Sequence, residues 1–445
     1  MNNPSKLSSR QVAELIGKRP ASIVELGSAE ICASLVSLSL EYRDAKFESA
    51  ARSLACRLTI DEALRLGMNG EEIAGCLSAL SAWYRDNEFR EAALTLARRL
   101  ATDDSLFYTI NGQQLTRCLD ALNKWDKEPV CRDAAARLAT RIFADRNLGN
   151  ALARHEVAIA LNALSKWPDE DVCRAASIRL AERIVRDQLL SVRMNAQEVA
   201  SCLYALGKWS SEQACLDAAR RLAGRLSTDE TLIRQMNGVR LTHCISGLAT
   251  WSNDDACYAA GRRLATRLSE DGPLRHHLNG RHVAVCLAAL SKWCADEVCY
   301  GAAVHLCRRV ASDASICHRL SMKHVVNCLG ALCRLADSGV SATAAIRLSQ
   351  RIVDDKSLVA QMNGGTIAAC LMALATWRGH VLCDEAALCI AKRLANDDTL
   401  PEGLHELQLV QCLDALSHWN DNDVFDQARA LIRLRMSDRF TAHAE

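Results

Sequence analysis

A 42-residue pattern recurs along the chain without insertion or deletion from Leu26 to Glu445, giving ten copies. A fixed period of roughly 20 to 50 residues is the signature of a solenoid, whose repeats are each too small to fold alone and bury their apolar faces against their neighbours. We therefore expect one continuous stack over residues 26–445. Residues 1–25 would then be a capping or export segment.

The second repeat indicates the helical content of one unit. One apolar face, which we assign to an A helix, is formed by Ile73, Cys76, Leu77, Leu80 and Trp83. A second apolar face from Phe89 to Leu100 predicts a B helix, and a short set around Leu106 predicts a C helix of about two turns. Three helices per unit are typical of armadillo-type repeats. The predicted fold is all-α: a right-handed α-solenoid, an armadillo- or HEAT-like superhelix of ten repeats.

Asparagines recur just before the predicted A helices, at Asn69, Asn111, Asn195, Asn237, Asn279 and Asn363. An Asn side chain there can accept hydrogen bonds from the free N–H groups of the first turn. Glu72, Gln114 and Glu198 add the spacing of a capping box. We interpret these asparagines as helix caps, and not as a ladder that binds a peptide.

The eight tryptophans all occupy one position of the repeat, near the end of the A helix. Most of the 21 cysteines occupy two others. Equivalent residues of stacked repeats lie about 8 to 10 Å apart, whereas a disulfide needs Cα atoms within about 7 Å. We therefore predict that both residue types are buried, with free thiols in a reducing compartment. An exposed aromatic ladder that stacks bases is the alternative for the tryptophans.

An arginine occupies the same position near the end of every B helix, from Arg57 to Arg435, and nine repeats carry an aspartate four residues later. The aspartate suits the N-cap of the C helix, and the arginine can reach it or the free carbonyl groups nearby. This pairing favours a structural role. A row of phosphate-binding arginines remains the alternative.

The variable strip of the A helix is defined by the positions of Glu71, Gly75, Ser78 and Ala82 and their equivalents in the other repeats. These positions share one helix face and differ in chemistry between repeats, which is typical of a ligand-reading surface of a solenoid; an ordinary solvated face is the alternative. The candidate binding residues on and beside this strip are Arg117, Lys124, Lys166, Tyr204, Lys208, Arg281, His282, Lys292, Lys323, His324 and Asn327.

The eighth repeat departs from the pattern. Leu335 replaces the tryptophan, Ser341 replaces the B-helix cysteine, and Ser321 replaces the capping asparagine. Basic and titratable residues gather at the preceding repeat boundary. We expect a bend or a partner contact in this region.

The sequence contains no recognisable catalytic motif. Glycine-rich phosphate loops, a G-x-S-x-G elbow and an H-E-x-x-H pair are all missing. Zinc at His276, His277, His282 and Cys286 is disfavoured, because Cys286 occupies the core cysteine position and the chain has no C-x₂-C pair. We predict no enzymatic activity, no cofactor and no metal.

The charge balance and hydropathy limit the partners. With 54 basic and 53 acidic residues the formal net charge is +1, which gives no support for a broad nucleic-acid or membrane surface. No apolar stretch approaches the roughly 18 residues of a membrane span, and the N-terminus lacks an apolar signal core, so we expect no cleaved signal peptide. A monomer without membrane contact is expected.

The segment ALSKWPDEDVC from Ala163 to Cys173, with ALNKW, ALGKW and ALSKW at the equivalent positions of other repeats, resembles the SKWP-repeat family. Its members are type III secreted effectors of plant-pathogenic bacteria, with 42-residue repeats compared to HEAT and armadillo repeats. The resemblance covers essentially the whole chain. It implies residence in the bacterial cytoplasm, injection into a host plant cell, and action through host proteins in the host cytoplasm or nucleus.

The same ALxALxKW run is also similar to octotricopeptide-type repeats of organelle RNA-binding proteins. That similarity implies RNA binding through variable helix positions. The neutral net charge and the paired arginines make RNA the less expected partner, and a protein-interaction scaffold is the principal prediction.

Overall fold

The computed structural model describes residues 9–18, 20–336, 338–397, 400, 403–420 and 422–442. Within these ranges every regular element is an α- or 3₁₀-helix and no strand occurs. The prediction of an all-α chain is therefore confirmed for the described residues.

The predicted A helices are present in all ten copies of the pattern. Most have eleven residues, and each begins shortly after the capping position. Their bounds are Ser28–Ser39, Gly70–Leu80, Gly112–Leu122, Arg154–Leu164, Ala196–Leu206, Gly238–Leu248, Gly280–Leu290, Met322–Arg334, Gly364–Ala375 and Glu406–Leu416.

The B helices are longer, and most have sixteen residues. Their bounds are Ala45–Ile60, Asn87–Thr102, Pro129–Ala144, Asp171–Arg186, Gln213–Thr228, Asp255–Glu270, Glu297–Ser312, Gly339–Asp354, Val381–Asn396 and Asp423–Ala442.

The C helices have five or six residues, somewhat shorter than two full turns. Those in the described part of the chain are Glu62–Gly67, Asp104–Thr109, Arg146–Ala151, Gln188–Arg193, Glu230–Arg234, Gly272–His277, Ala314–His318 and Lys356–Ala360. Each begins directly after the aspartate of the repeat, whose side chain accepts from backbone N–H groups of the first turn, as at Asp61 and Asp187. The predicted N-cap role of this aspartate is confirmed.

The predicted asparagine caps are also confirmed. The side chain of each of the six asparagines accepts a hydrogen bond from the first turn of its A helix. Glu72, Gln114 and Glu198 complete the expected capping boxes by accepting from the backbone N–H of the cap residue. Local sequence chemistry therefore fixes where these helices begin.

The sequence analysis placed the tryptophans near the end of the A helix. In the structure they lie just beyond its last turn. Five of them end a short 3₁₀ turn: Ser81–Trp83, Asn123–Trp125, Gly207–Trp209, Ala249–Trp251 and Ser291–Trp293. The tighter turn carries the ring inward, and all eight indole side chains are buried, with relative exposures between 3% and 8%. The prediction of burial is confirmed.

The chain divides into two compact units, residues 1–225 and 226–445. In the first, the five A helices from Ser28–Ser39 to Ala196–Leu206 pack in sequence, each against its neighbour within this set, and the first four B helices form a similar series of contacts. The second unit repeats this order from Gly238–Leu248 onward. Continuity of a single stack over residues 26–445 stays a prediction.

Helix Ser9–Lys18 packs on helices Ser28–Ser39 and Ala45–Ile60 of the first unit. Its Val12 and Ile16 are buried in that contact. The capping and export roles predicted for residues 1–25 stay predictions, and residues 1–8 lie outside the described part.

The cysteines of both repeat positions fill the core. Cys76 and Cys131 are typical and have no exposed surface, and all cysteines are free thiols. None of the described helices is both long and apolar enough to cross a bilayer.

Candidate interaction surface on the A helices

Five of the buried indoles also link two repeats. In each of these, the indole N–H donates to the backbone carbonyl of the residue that follows the tryptophan position in the preceding repeat. The bonds are Trp83 to Tyr42 at 3.0 Å, Trp125 to Tyr84 at 3.1 Å, Trp167 to Asp126 at 3.0 Å, Trp209 to Pro168 at 3.3 Å and Trp293 to Ser252 at 2.9 Å. A ring engaged in this way is not available to stack on a ligand.

The B-helix arginines make a second set of links. Arg183 donates to the Gly149 carbonyl at 2.8 Å, and Arg309 donates to the Leu278 carbonyl at 3.0 Å. Each acceptor lies at or just beyond the C-terminal end of the C helix of the preceding repeat, where carbonyl groups lack helical partners. Arg99, Arg141, Arg225 and Arg393 bond in the same way.

Six arginines of this repeat position contact the predicted aspartate, which lies four residues later in the chain. The nitrogen–oxygen distance is 3.1 Å for Arg99–Asp103 and 2.7 Å for Arg351–Asp355. Similar pairs join Arg57, Arg141, Arg267 and Arg393 to their aspartates. For these residues the structural role predicted from the sequence is confirmed.

The repeat cysteines are poor nucleophiles. Burial raises the pKa of Cys173 and of Cys215 to about 12. Because the thiolate is the reactive form, almost none of either side chain is reactive near neutral pH. Contacts with a ligand must therefore be made by other residues.

The variable strip is the part of the A helix that reaches solvent. In the second repeat Glu71 and Ser78 are exposed, whereas Gly75 is buried. Cys32 lies against this glycine, and a Cβ atom there would approach its Sγ to 2.5 Å. The strip is thus narrower at this position than the sequence indicated.

The strip of the first unit carries acidic as well as basic side chains. Arg117 forms an ion pair with Glu71 of the preceding repeat, at 2.7 Å between Nη1 and Oε1. Lys124 and Lys166 are exposed beyond the ends of their A helices. Lys208 lies over the ring of half-buried Tyr204, 5.1 Å from its centroid. Of these predicted binding residues, Arg117 contacts a carboxylate and Lys208 contacts an aromatic ring. Lys124 and Lys166 are exposed and form no ion pair within the described ranges.

The strip of the second unit is different. Arg281 and Lys323 occupy equivalent positions in adjacent repeats, and both are exposed. Lys292 donates to the Ala249 carbonyl at 2.8 Å, and Arg334 donates to the Ser291 hydroxyl at 3.1 Å. None of the four forms an ion pair within the described part of the chain.

The neighbouring histidines are half-buried between these cations. Burial lowers the pKa of His282, and the charge of Arg281 lowers it further. Burial also lowers the pKa of His324, with added repulsion from Arg281 and Lys323. The Ser321 hydroxyl lies 2.6 Å from His324 Nδ1. Asn327 is half-buried on the same helix.

The departures of the eighth repeat have local structural solutions. Leu335 is buried at the tryptophan position, and the Ser341 hydroxyl donates to the Leu335 carbonyl at 2.8 Å. Ser321 makes no side-chain cap, although helix Met322–Arg334 still packs against the A helices on both sides. The expected bend or partner contact in this region stays a prediction.

Cys286 is fully buried and its Sγ lies 3.3 Å from the Thr242 hydroxyl, which agrees with a core position. Nowhere in the described ranges do three or more His, Cys, Asp or Glu side chains gather closely enough to hold a metal ion. The candidate binding residues on the A helices therefore form a charged surface that reaches solvent, as at Arg281 and Lys323.

One feature of this surface escaped sequence reasoning: Glu71 is the partner of Arg117 across a repeat boundary. Arg334, which the sequence places on the variable strip, belongs with the candidate cations of the second unit. A count of acidic residues in each A helix would have set apart the four acid-free A helices of the second unit. No known protein-family model matches the chain, and comparison with curated proteins finds no significant similarity, so the assignment of this surface rests on the chain's own residues.

Proposed function

We propose that this chain is a non-enzymatic scaffold for protein–protein interaction, and that the A-helix surface selects its partner. One observation carries the proposal. Positions that repeat in type are buried or bonded to the preceding repeat, as are Trp209 and Arg183, whereas the exposed positions of the A helices vary. A row of exposed positions that varies from repeat to repeat is what a solenoid that reads a partner requires.

The proposal includes a finer description of the fold: a right-handed α-solenoid of ten 42-residue repeats. The regular helix order and the recurring hydrogen bonds from tryptophan and arginine within each unit support this description. In such an array each repeat adds one A helix to the surface. A long partner could therefore be contacted by several repeats at once.

The resemblance of the ALSKW segments to SKWP-repeat effectors supports a further part of the proposal, namely delivery by a type III apparatus into a host plant cell. A translocation reporter fused to the chain tests it. Signal in plant cells that disappears when the secretion apparatus is inactivated supports delivery, and signal that is unchanged rejects it.

The scaffold role is tested by capture of partners from plant-cell extract with matched charge reversals. Lys166→Glu with Lys323→Glu alters the A-helix surface once in each unit. Arg98→Glu with Arg308→Glu makes the same change at exposed B-helix positions. We expect the first variant to lose a specific partner and the second to retain it. Identical partner sets for wild type and the A-helix variant would reject the proposal.

RNA binding is the competing function, and its salt dependence distinguishes it. Release of counterions makes RNA affinity fall steeply with salt. A protein scaffold of this kind should bind an unrelated RNA weakly or not at all at physiological ionic strength. Tight RNA binding with a steep salt slope would replace the scaffold proposal.

A further inference from the structure

Four consecutive A helices of the second unit contain no aspartate or glutamate. They are Gly238–Leu248, Gly280–Leu290, Met322–Arg334 and Gly364–Ala375. Each A helix of the first unit contains at least one acidic residue. The near-neutral charge of the whole chain therefore conceals a local excess of positive charge.

The cationic face is defined here by Arg281, Lys292, Lys323 and Arg334, which lie on or beside the two middle helices of this set. In the first unit, A-helix arginines meet carboxylates: Arg117 pairs with Glu71, and Arg154 pairs with Glu198 at 3.3 Å. On the cationic face no carboxylate lies within ion-pair distance in the described ranges. The positive charge there is uncompensated.

The groups on this face repel one another. Partial burial lowers the pKa of Lys292, and the nearby charge of Arg334 lowers it further. Burial also lowers the pKa of His324, and the positive charges of Arg281 and Lys323 lower it further. Like charges held together are an electrostatic cost that an anionic partner would remove.

Aliphatic side chains flank the cationic face. Val239 on the preceding A helix is 41% exposed, and Met372 on the following A helix is 40% exposed. The four acid-free helices contain no Phe, Tyr or Trp. Single-stranded nucleic acids are held largely by aromatic side chains that stack on bases, so the flanks suit aliphatic side chains of a polypeptide better than bases.

We propose that the cationic face binds an extended acidic polypeptide segment in which carboxylates alternate with aliphatic residues. The inference rests on the proposed scaffold function and adds the chemistry of the partner. Arg281 lies in the first turn of A helix Gly280–Leu290 and Lys292 in the 3₁₀ turn that follows it, so about 16 Å separate them along the helix axis. Adjacent A helices lie about 8 to 10 Å apart. Carboxylates two or three residues apart in an extended chain, with a rise of about 3.3 Å per residue, match the spacing between repeats.

The experiment measures fluorescence anisotropy of a labelled peptide that repeats Glu-Leu-Glu-Gly four times. A peptide with Gln in place of Glu is the neutral control, and an oligouridylate of the same formal charge is the nucleic-acid control. We expect the full-length protein to bind the acidic peptide, with affinity that falls as salt rises, and to bind both controls at least about tenfold more weakly.

The test variant is Arg281→Glu with Lys323→Glu, because neither side chain makes a hydrogen bond or ion pair within the described residues. We expect its affinity for the acidic peptide to fall about tenfold or more. Arg98→Glu with Arg308→Glu makes the same charge change at exposed B-helix positions and should leave the affinity within about twofold. Circular dichroism of each variant checks that the helices are retained.

Three outcomes would overturn the inference: no binding of the acidic peptide at low salt, equal losses in both variants, or oligouridylate affinity that equals or exceeds that of the acidic peptide. These failures differ from failure of the scaffold function. If a partner captured from extract still depends on A-helix residues while the acidic peptide does not bind, the scaffold proposal survives and only the partner chemistry is rejected.

Discussion

The indole N–H of Trp209 donates a hydrogen bond to the Pro168 carbonyl oxygen, which lies 41 residues earlier in the chain. The Trp209 ring is at the same time 3% exposed. One side chain thus fills the core and satisfies a backbone acceptor of the preceding repeat. Because neighbouring repeats hold each other in this way, the tryptophan should contribute to stability through both packing and hydrogen bonding.

Trp209→Ala should lower the free energy of unfolding by roughly 3 to 5 kcal/mol, because it leaves a large cavity and an unpaired carbonyl. Trp209→Phe keeps most of the apolar ring and loses the hydrogen bond, so a smaller loss of about 1 to 2 kcal/mol is expected. Urea denaturation monitored by circular dichroism measures both. An unchanged midpoint for the alanine variant would show that the ring is not part of the core.

A glycine beside another tryptophan gives a second prediction. A Cβ atom on Gly261 would lie 2.6 Å from two ring carbons of Trp293, whereas a Cβ atom on Gly301, in the next B helix, would meet nothing within 4 Å. Gly261→Ala should therefore destabilise the fold by about 1 to 3 kcal/mol through overpacking. Gly301→Ala should stabilise it by about 0.5 to 1 kcal/mol, since alanine favours the helix. Thermal denaturation of both variants tests this difference in sign.

The Arg183 guanidinium donates to the Gly149 carbonyl of the preceding repeat at 2.8 Å. Loss of this charge-assisted bond in Arg183→Ala should cost about 1.5 to 3 kcal/mol of unfolding free energy. Arg186→Ala is the matched control, because its side chain is 63% exposed in the same helix and should change stability by less than about 0.5 kcal/mol. Equal effects in urea denaturation would contradict the proposed link.

The carboxylate of Asp296 gives a prediction for the stability of the fold at low pH. Burial alone would raise its pKa, but hydrogen bonds from the Cys299 N–H, the Tyr258 hydroxyl and the Arg262 guanidinium outweigh burial and lower the pKa to about 2 from 3.8. A lowered pKa in the folded state stabilises the fold above pH 3.8, and this contribution is lost as the pH falls towards 2.

At pH 7 the wild type should therefore be more stable than Asp296→Asn by about 1 to 2 kcal/mol. The difference should shrink below about pH 4 and become small as the pH falls through about 2. Glu297→Gln, at an exposed neighbouring carboxylate, should show little difference across the range. Urea midpoints at several pH values measure these differences, and a gap as large at pH 2 as at pH 7 would refute the assignment.

Helices, caps and core were predictable because ten copies of one pattern could be compared within a single chain. A position that keeps Asn, Trp or Cys in most copies has one local environment, so Asn69, Trp83 and Cys76 were correctly assigned as cap and core. Local side-chain chemistry and apolar spacing suffice for such assignments.

The links between repeats were not predictable in detail, because their acceptors are backbone carbonyls. Any residue can supply a carbonyl, so neither Pro168 nor Gly149 carries a sequence signal for its donor. The contrast between the strips of the two units was available in the sequence, as the acid-free A helices from Gly238 to Ala375, but the pairing of Arg117 with Glu71 depends on how adjacent helices are set against each other.

Two sets of hydrogen bonds between repeats point backward by a constant interval, 41 residues for five indoles such as Trp167 and 34 residues for arginines such as Arg183. An in-frame duplication of one 42-residue segment inside either unit would bring a new donor for every acceptor it adds. Tandem expansion or contraction of the coding sequence can therefore lengthen or shorten the A-helix surface while every donor of these two sets keeps an acceptor. The number of A helices available to a partner can thus change by whole repeats during evolution.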